Sequence, residues 1–125
     1  MRCPVGWSQP EVDSERISEW AETLRAAAHP VRLMILAELL EGPRCVTAIR
    51  ELLKARQPNV SQHLSVLRHS GLVAFSREGA FRCYYLPKPG QVRAIFSLLE
   101  KDYPTAGLEE IRKEFRRAQD QKARR

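Results

Sequence analysis

Residues 57–73 contain the pattern that most constrains the fold, a short helix with two unlike faces. Val60, Leu64 and Leu67 recur at intervals of four and three residues, which predicts one apolar stripe along the helix. Pro58 suits a first helical position, and Gly71 suits the turn that ends the helix. The other face carries neutral side chains that form hydrogen bonds, namely Asn59, Ser61, Gln62 and His63. Such side chains read base edges in the major groove of DNA, so the pattern predicts a recognition helix.

The charge around this helix is strongly positive. Residues 44–93 hold nine Lys or Arg and two acidic residues, which gives this segment a net charge of +7. The whole chain has a net charge of +6, so the rest of the chain is close to neutral. The positive charge is therefore concentrated around the predicted recognition helix, as expected of a surface that binds phosphates. The alternative is an ordinary surface helix with a solvated polar face. Such faces are usually rich in Glu and Lys, and residues 57–70 contain neither.

Length and composition indicate a small protein of the reducing cytoplasm. The chain has 125 residues, 43% of them hydrophobic, which suits one domain with a modest core. No run approaches the ~20 apolar residues of a membrane span, and the N-terminus lacks the apolar core of a signal peptide. Three widely spaced cysteines do not suggest a disulfide framework. The chain has no glycine-rich phosphate loop and no nucleophile elbow, so we predict that it is not an enzyme.

The remaining pattern predicts a mainly α-helical fold with a small β-hairpin. Further helices are expected at about 11–28, 30–40, 46–54, 91–103 and 107–121. The helix at 46–54 and the recognition helix lie a few residues apart, which makes a helix-turn-helix unit. Strands at 72–77 and 81–86 flank Gly79, and Arg77 and Arg82 stand on either side of this turn. The hairpin is thus expected to be a basic wing; the alternative is that its two arginines serve only solubility.

Two sets of residues carry the predicted interactions. The predicted DNA-binding residues are Arg56, Gln57, Asn59, Ser61, Gln62, His63, Arg68, Arg77 and Arg82. Two helical faces are too apolar to stand exposed, and we expect them to form the seam of a symmetric homodimer. This predicted seam consists of Trp20, Leu24, Ile95, Phe96 and Leu99. Residues 1–105 are predicted to form a winged helix-turn-helix domain for DNA binding and dimerisation, and residues 106–125 a basic helical extension.

The order of these elements resembles the ArsR/SmtB family of winged-helix repressors. The likeness rests on residues 24–36, on residues 61–73, and on Gly79 followed by Tyr84 and Tyr85. It implies a homodimer that occupies a double-stranded DNA operator, represses transcription and releases the operator when an inducer binds. No resident cofactor is expected. The alternative from another functional class is a winged helix that binds protein and no specific DNA.

The resemblance also indicates where an inducer is to be sought. The family's Cys-x-Cys-x-x-Cys motif falls here on Cys45, Thr47 and Arg50, so two of its three thiols are missing. The family's zinc site in the fifth helix uses Asp and His, and residues 91–103 contain no His. Cys45 remains, and both Arg44 and the following helix N-terminus are expected to favour its reactive thiolate.

Cys83 and Cys3 are the other candidate thiols, and the identity of the inducer stays open at this point. Two or three of the thiols can meet to bind trivalent arsenic or another soft metal ion, or to form a redox couple. For Cys83, the competing role is that of a small buried hydrophobic residue. The resemblance favours arsenite; a thiol redox signal, or no effector at all, are the alternatives.

Overall fold

A computed structural model describes residue 11 and residues 13–53 and 59–123. One compact unit is made of Asp13–Glu100, and the described residues after it belong to a second unit. The described residues of the first unit form the helices α1 Ser14–Ala27, α2 Pro30–Leu40, α3 Val46–Leu53, α4 Val60–His69 and α5 Pro89–Glu100. It also contains the strands β1 Arg44–Cys45, β2 Ala74–Glu78 and β3 Phe81–Tyr85. In the second unit, α6 spans Leu108–Ala123.

Helix α2 lies at the centre of the first unit. The Nδ1 atom of His29 accepts a hydrogen bond from the backbone N–H of Val31 at 3.1 Å, which caps the helix, and Pro30 occupies its first position. Ile35 and Leu36 are completely buried. Helices α1, α4 and α5 all pack against α2, so this helix positions α4 relative to the rest of the core.

The sheet has three antiparallel strands in the order β1-β3-β2, whereas the sequence predicted a two-stranded hairpin. Strand β1 adds the pairs Arg44↔Tyr84 and Cys45↔Cys83 to the sheet. A two-residue turn joins β2 to β3, and Gly79 adopts a φ of +64° there. The prediction of a mainly helical winged helix-turn-helix fold is confirmed. The sheet contains one more strand, β1, than the predicted hairpin.

Two local features differ from what the sequence pattern indicates. The apolar residues of α3 suggest that Ala48, Ile49, Leu52 and Leu53 all face inward. Only Ile49 and Leu53 are buried, because an eight-residue helix turns only one narrow face to the core. Helix α5 begins at Pro89 and ends at Glu100, so it lies earlier than the predicted 91–103. In the described part of the chain, no helix is both long enough and apolar enough to cross a membrane.

Candidate nucleic-acid interface

Helix α4 presents one exposed polar face. Val60, Leu64 and Leu67 are buried, as their spacing predicted, so Gln62 on the opposite side is exposed to solvent. Asn59 precedes the helix, is exposed, and makes no side-chain capping hydrogen bond. Its amide therefore remains available to a ligand. The predicted contacts Arg56 and Gln57 lie outside the described residues.

His63 points elsewhere, although the sequence placed it on the DNA-reading face. Its ring is half-buried, lies 4.5 Å from the ring of His29, and accepts a hydrogen bond on Nδ1 from Nε of Arg32 at 3.3 Å. Burial lowers the pKa of His63, and the neighbouring His29 and Arg32 lower it further because they disfavour a second positive charge. The structure therefore holds His63 in its neutral form against α2.

Arg32 joins three helices, and sequence reasoning missed it. Besides its bond to His63, its Nη1 donates to the backbone carbonyls of Arg25 at 3.3 Å and Ala26 at 3.1 Å. These carbonyls belong to the last turn of α1, where a cation is favourable because helix carbonyls there lack intrahelical partners. The orientation of α4 is thereby tied to α1 as well as to α2. No periodic pattern in the sequence indicates the contact between Arg32 and His63, because these residues lie 31 positions apart.

Arginines line a groove between α3, α4 and β3. Arg50 donates from Nη2 to Oγ of Ser61 at 2.8 Å, which connects α3 to α4. The guanidinium carbons of Arg68 and Arg82 lie 5.0 and 5.1 Å from the ring centroid of Phe75. Thr47 and Ser65 add hydroxyls to the same groove. Guanidinium and hydroxyl donors around an open groove form a surface that can bind an anion such as a phosphate.

The wing brings two like charges face to face. Arg77 and Arg82 are direct partners in the β2–β3 register. Directly opposed like charges in a sheet are destabilising. Within the described part of the chain, neither Arg77, Arg82 nor Arg68 forms an ion pair with a carboxylate. The wing therefore carries uncompensated positive charge that an anionic partner would neutralise.

The structure brings two of the three predicted thiols together. Sγ of Cys45 and Sγ of Cys83 lie 3.1 Å apart, and both side chains are half-buried. Hydrogen bonding to Cys45 raises the pKa of Cys83, and burial and the nearby Glu78 raise it further. The third thiol, Cys3, lies outside the described residues. The described part of the chain contains no cluster of three or more His, Cys, Asp or Glu that could hold a metal ion.

The sequence suggested that Arg44 acts on the thiol of Cys45, but the Arg44 side chain binds other partners. Its Nε donates to Oε1 of Glu38 at 3.1 Å, and its Nη1 donates to the carbonyl of Pro43 at 3.0 Å. The guanidinium charge is thus compensated by Glu38. The position of Cys45, immediately before the first residue of α3, agrees with the sequence.

The predicted dimer seam is largely exposed in the single chain. Trp20 is 43% exposed, Leu24 is 62% exposed and Leu99 is 63% exposed. Ile95 is half-buried, and Phe96 is half-buried because it packs against the hydrophobic core of its own chain. An exposed apolar surface of this kind is typical of a protein–protein contact.

Comparison with known proteins agrees with this architecture. Residues 29–74 match the model of the "bacterial regulatory protein, arsR family". The HTH-type transcriptional regulator MJ1325 of Methanocaldococcus jannaschii is 38% identical over 88 residues, which cover 70% of this chain and 98% of the relative. The HTH-type transcriptional regulator NmtR of Mycobacterium tuberculosis is 44% identical over 75 residues, or 60% of this chain and 62% of NmtR.

Solved structures show the same likeness. NolR from Sinorhizobium fredii is 32% identical and superimposes with a TM-score of 0.63 over 79% of this chain and all of NolR. The homodimeric winged helix-turn-helix DNA-binding domain Mb0332 from Mycobacterium bovis is 25% identical, with a TM-score of 0.63 over 81% of this chain and 99% of that domain. MJ1325 and NmtR are named as HTH-type transcriptional regulators and the M. bovis domain as a DNA-binding domain, and none of these names describes an enzyme. The chain therefore belongs to the ArsR family of bacterial transcriptional regulators.

Proposed function

We propose that the protein is a homodimeric repressor that reads a specific DNA operator with α4 and grips the backbone with its wing. The observation that carries this proposal is the exposed Gln62 face of α4. It is flanked by arginines that form no ion pair with a carboxylate of the described residues. Gln62 and Asn59 have the amide groups that pair with adenine edges in the major groove. Arg68, Arg77 and Arg82 would contact phosphates, which fix the register of the protein on the duplex.

Four other predicted contacts have different roles in this proposal. Ser61 accepts a hydrogen bond from Arg50, so the pair acts together at the edge of the groove. Arg56 and Gln57 precede α4 in sequence and remain proposed contacts to the backbone. His63 supports the orientation of α4 through Arg32 and is not proposed to touch a base.

The dimer follows from the two exposed apolar faces of α1 and α5. Ile17, Trp20 and Leu24 lie at intervals of three and four residues and form one stripe of α1. Two such stripes related by a two-fold axis would bury each other, and the M. bovis domain of the same fold is homodimeric. We propose the same assembly here, with Leu99 extending the contact.

Titration of a labelled duplex from the region upstream of the protein's own coding sequence tests the operator proposal. We expect tight binding to that duplex and at least tenfold weaker binding to a scrambled duplex of equal length. The affinity should fall as salt rises, because phosphate contacts release counterions. Equal affinity for both duplexes would overturn specific binding, and no affinity for either would favour a module that binds protein.

We also propose that a thiol-reactive inducer releases the operator by acting at Cys45 and Cys83. The distance of 3.1 Å between the two sulfurs supports this, because one soft ligand can bind both. Arsenite is the first compound to test, on the basis of the family resemblance. Arsenite should weaken operator binding by the wild type and leave the Cys45→Ser variant bound. Equal release of both proteins would remove Cys45 from the site, and release of neither would exclude arsenite.

A further inference from the structure

Cys45 and Cys83 are positioned to form a bond to each other. They are direct partners across the antiparallel strands β1 and β3. Opposed residues in such a pair have Cα atoms about 4.5 to 5.5 Å apart, within the range that a disulfide spans. The two sulfurs lie 3.1 Å apart, and a disulfide requires about 2.05 Å. A movement of about 1 Å therefore suffices.

From this geometry we propose that a hydroperoxide oxidises Cys45 and Cys83 to a reversible disulfide between β1 and β3, and that this bond weakens operator binding. The proposed disulfide is a modification site, and the strand register and the distance between the sulfurs support it. The proposed effect of the disulfide on operator binding rests on the proposed repressor function. Because β1 and β3 belong to one folded unit, the bond forms within a single chain.

The two thiols have different roles in the oxidation. The contact with Cys45 raises the pKa of Cys83, whereas Cys45 stands directly before the first residue of α3, so we assign Cys45 as the attacking sulfur. The Cys45 thiolate attacks one oxygen of the hydroperoxide; the O–O bond breaks, an S–O bond forms, and the alcohol leaves with the proton that Cys45 gave up. The sulfur of Cys83 then attacks the sulfenic sulfur, and the hydroxide leaves with the Cys83 proton as water. Two electrons pass from the thiols to the peroxide, and two equivalents of an external thiol reverse the bond.

The bond would act on both walls of the arginine groove. Strand β1 leads directly into α3, whose Arg50 holds Ser61 of α4. Strand β3 carries Arg82 next to Cys83. We infer that drawing the sulfurs together by about 1 Å would move α3 and the wing relative to each other, because Cys45 adjoins α3 and Cys83 lies in β3. The disulfide acts as a switch only if the reduced and the oxidised protein differ in their affinity for DNA. Coupling between two sites typically changes an affinity by about 5- to 150-fold.

The test uses the full chain, reduced and then treated with hydrogen peroxide. Intact-mass analysis of the wild type should show the loss of two hydrogens, and a peptide map should link Cys45 to Cys83. Cys3→Ser, the matched control, should behave in the same way. Cys83→Val keeps a residue suited to a strand and should instead accumulate a sulfenic acid that a sulfenate trap captures. Cys45→Ser should show neither product.

Operator affinity is measured on the same samples. Oxidation should raise the Kd of the wild type about 5- to 150-fold, and dithiothreitol should restore it. Absence of the Cys45–Cys83 link would overturn the proposed site, and a link that leaves the Kd unchanged would overturn the switch. If the reduced protein binds no operator, the repressor function fails and the switch fails with it, while the mass data still decide the disulfide site.

Discussion

At the scale of single residues, the proposed interface would use different side chains to read bases and to hold phosphates. Gln62 is exposed on α4, whereas Arg77 and Arg82 stand opposite each other on the wing. The repulsion between the two arginines is relieved when a phosphate lies between them, because an anion attracts both guanidinium groups. Base readers affect specificity, and phosphate contacts affect affinity for every sequence alike.

Substitutions at Gln62 and Arg82 should therefore have different effects. Gln62→Ala should lower affinity for the operator by about 1–3 kcal/mol and leave affinity for a scrambled duplex unchanged. Arg82→Ala should weaken binding to both duplexes and reduce the slope of log Kd against log salt by about 1. Titrations at several salt concentrations measure both quantities. Identical behaviour of the two variants would contradict the assignment of α4 as reader and the wing as backbone contact.

The half-buried position of His63 predicts a pH dependence of folding. Its pKa is lower in the folded chain than the ordinary value of 6.5, so the unfolded chain binds the proton more readily. The contribution of His63 to stability is therefore complete at pH values above 6.5. It decreases as the pH falls from there towards the lowered pKa of the folded state, since protonation sets His63 against Arg32 and ends its acceptance of the Arg32 N–H.

Urea unfolding at pH 7.5 and 5.5 measures this effect. The wild type should lose more stability between the two pH values than His63→Gln, which cannot be protonated. His69→Gln is the matched control, since it removes an exposed histidine from the same helix. A loss of stability in His63→Gln as large as that of the wild type would contradict the burial argument.

At the scale of secondary-structure elements, the turn of the wing depends on one glycine. Gly79 has a φ of +64°, and Ala80 after it does not adopt a positive φ. This combination fits a type II′ turn, whose first central position strongly favours glycine. A side chain at Gly79 would meet no atom within 4 Å, so any cost of substitution comes from the backbone conformation alone.

Gly79→Ala should consequently destabilise the protein by about 1–2 kcal/mol. Gly90→Ala is the matched control, because Gly90 lies in α5, has open space around it and lacks a positive φ. Its substitution should be neutral or slightly stabilising, since alanine favours helices. Denaturant unfolding of both variants gives the comparison. If Gly79→Ala were as stable as Gly90→Ala, the turn would not require the glycine.

The elements show which parts of the fold the sequence could predict. Repeating patterns identified the helices and the wing because burial of Val60, Leu64 and Leu67 leaves a periodic trace in the chain. Strand β1 could not be found in this way, since two residues are too few to show an alternation. The pairing of Cys45 with Cys83 spans 38 positions and depends on that strand. The same limit hid the contact between Arg32 and His63.

At the scale of the whole molecule, the exposed stripes of α1 and α5 determine how two recognition helices would be placed. A two-fold dimer presents its recognition helices to successive major grooves, about 34–36 Å apart, so the operator should be an imperfect palindrome. Each half-site alone offers half of the phosphate contacts. Operator affinity should therefore depend on dimerisation as strongly as on the residues of α4.

Leu24→Glu should separate these two requirements. Leu24 is 62% exposed, so a glutamate there is tolerated in the single chain but would bury an unpaired charge in the dimer seam. We expect sedimentation to give a monomer at micromolar concentration and operator binding to weaken at least tenfold, with the unfolding midpoint of the isolated chain little changed. Ala37→Glu, an exposed site on α2 outside the seam, is the control and should remain a dimer. A dimeric Leu24→Glu protein with full affinity would show that the two copies meet through another surface.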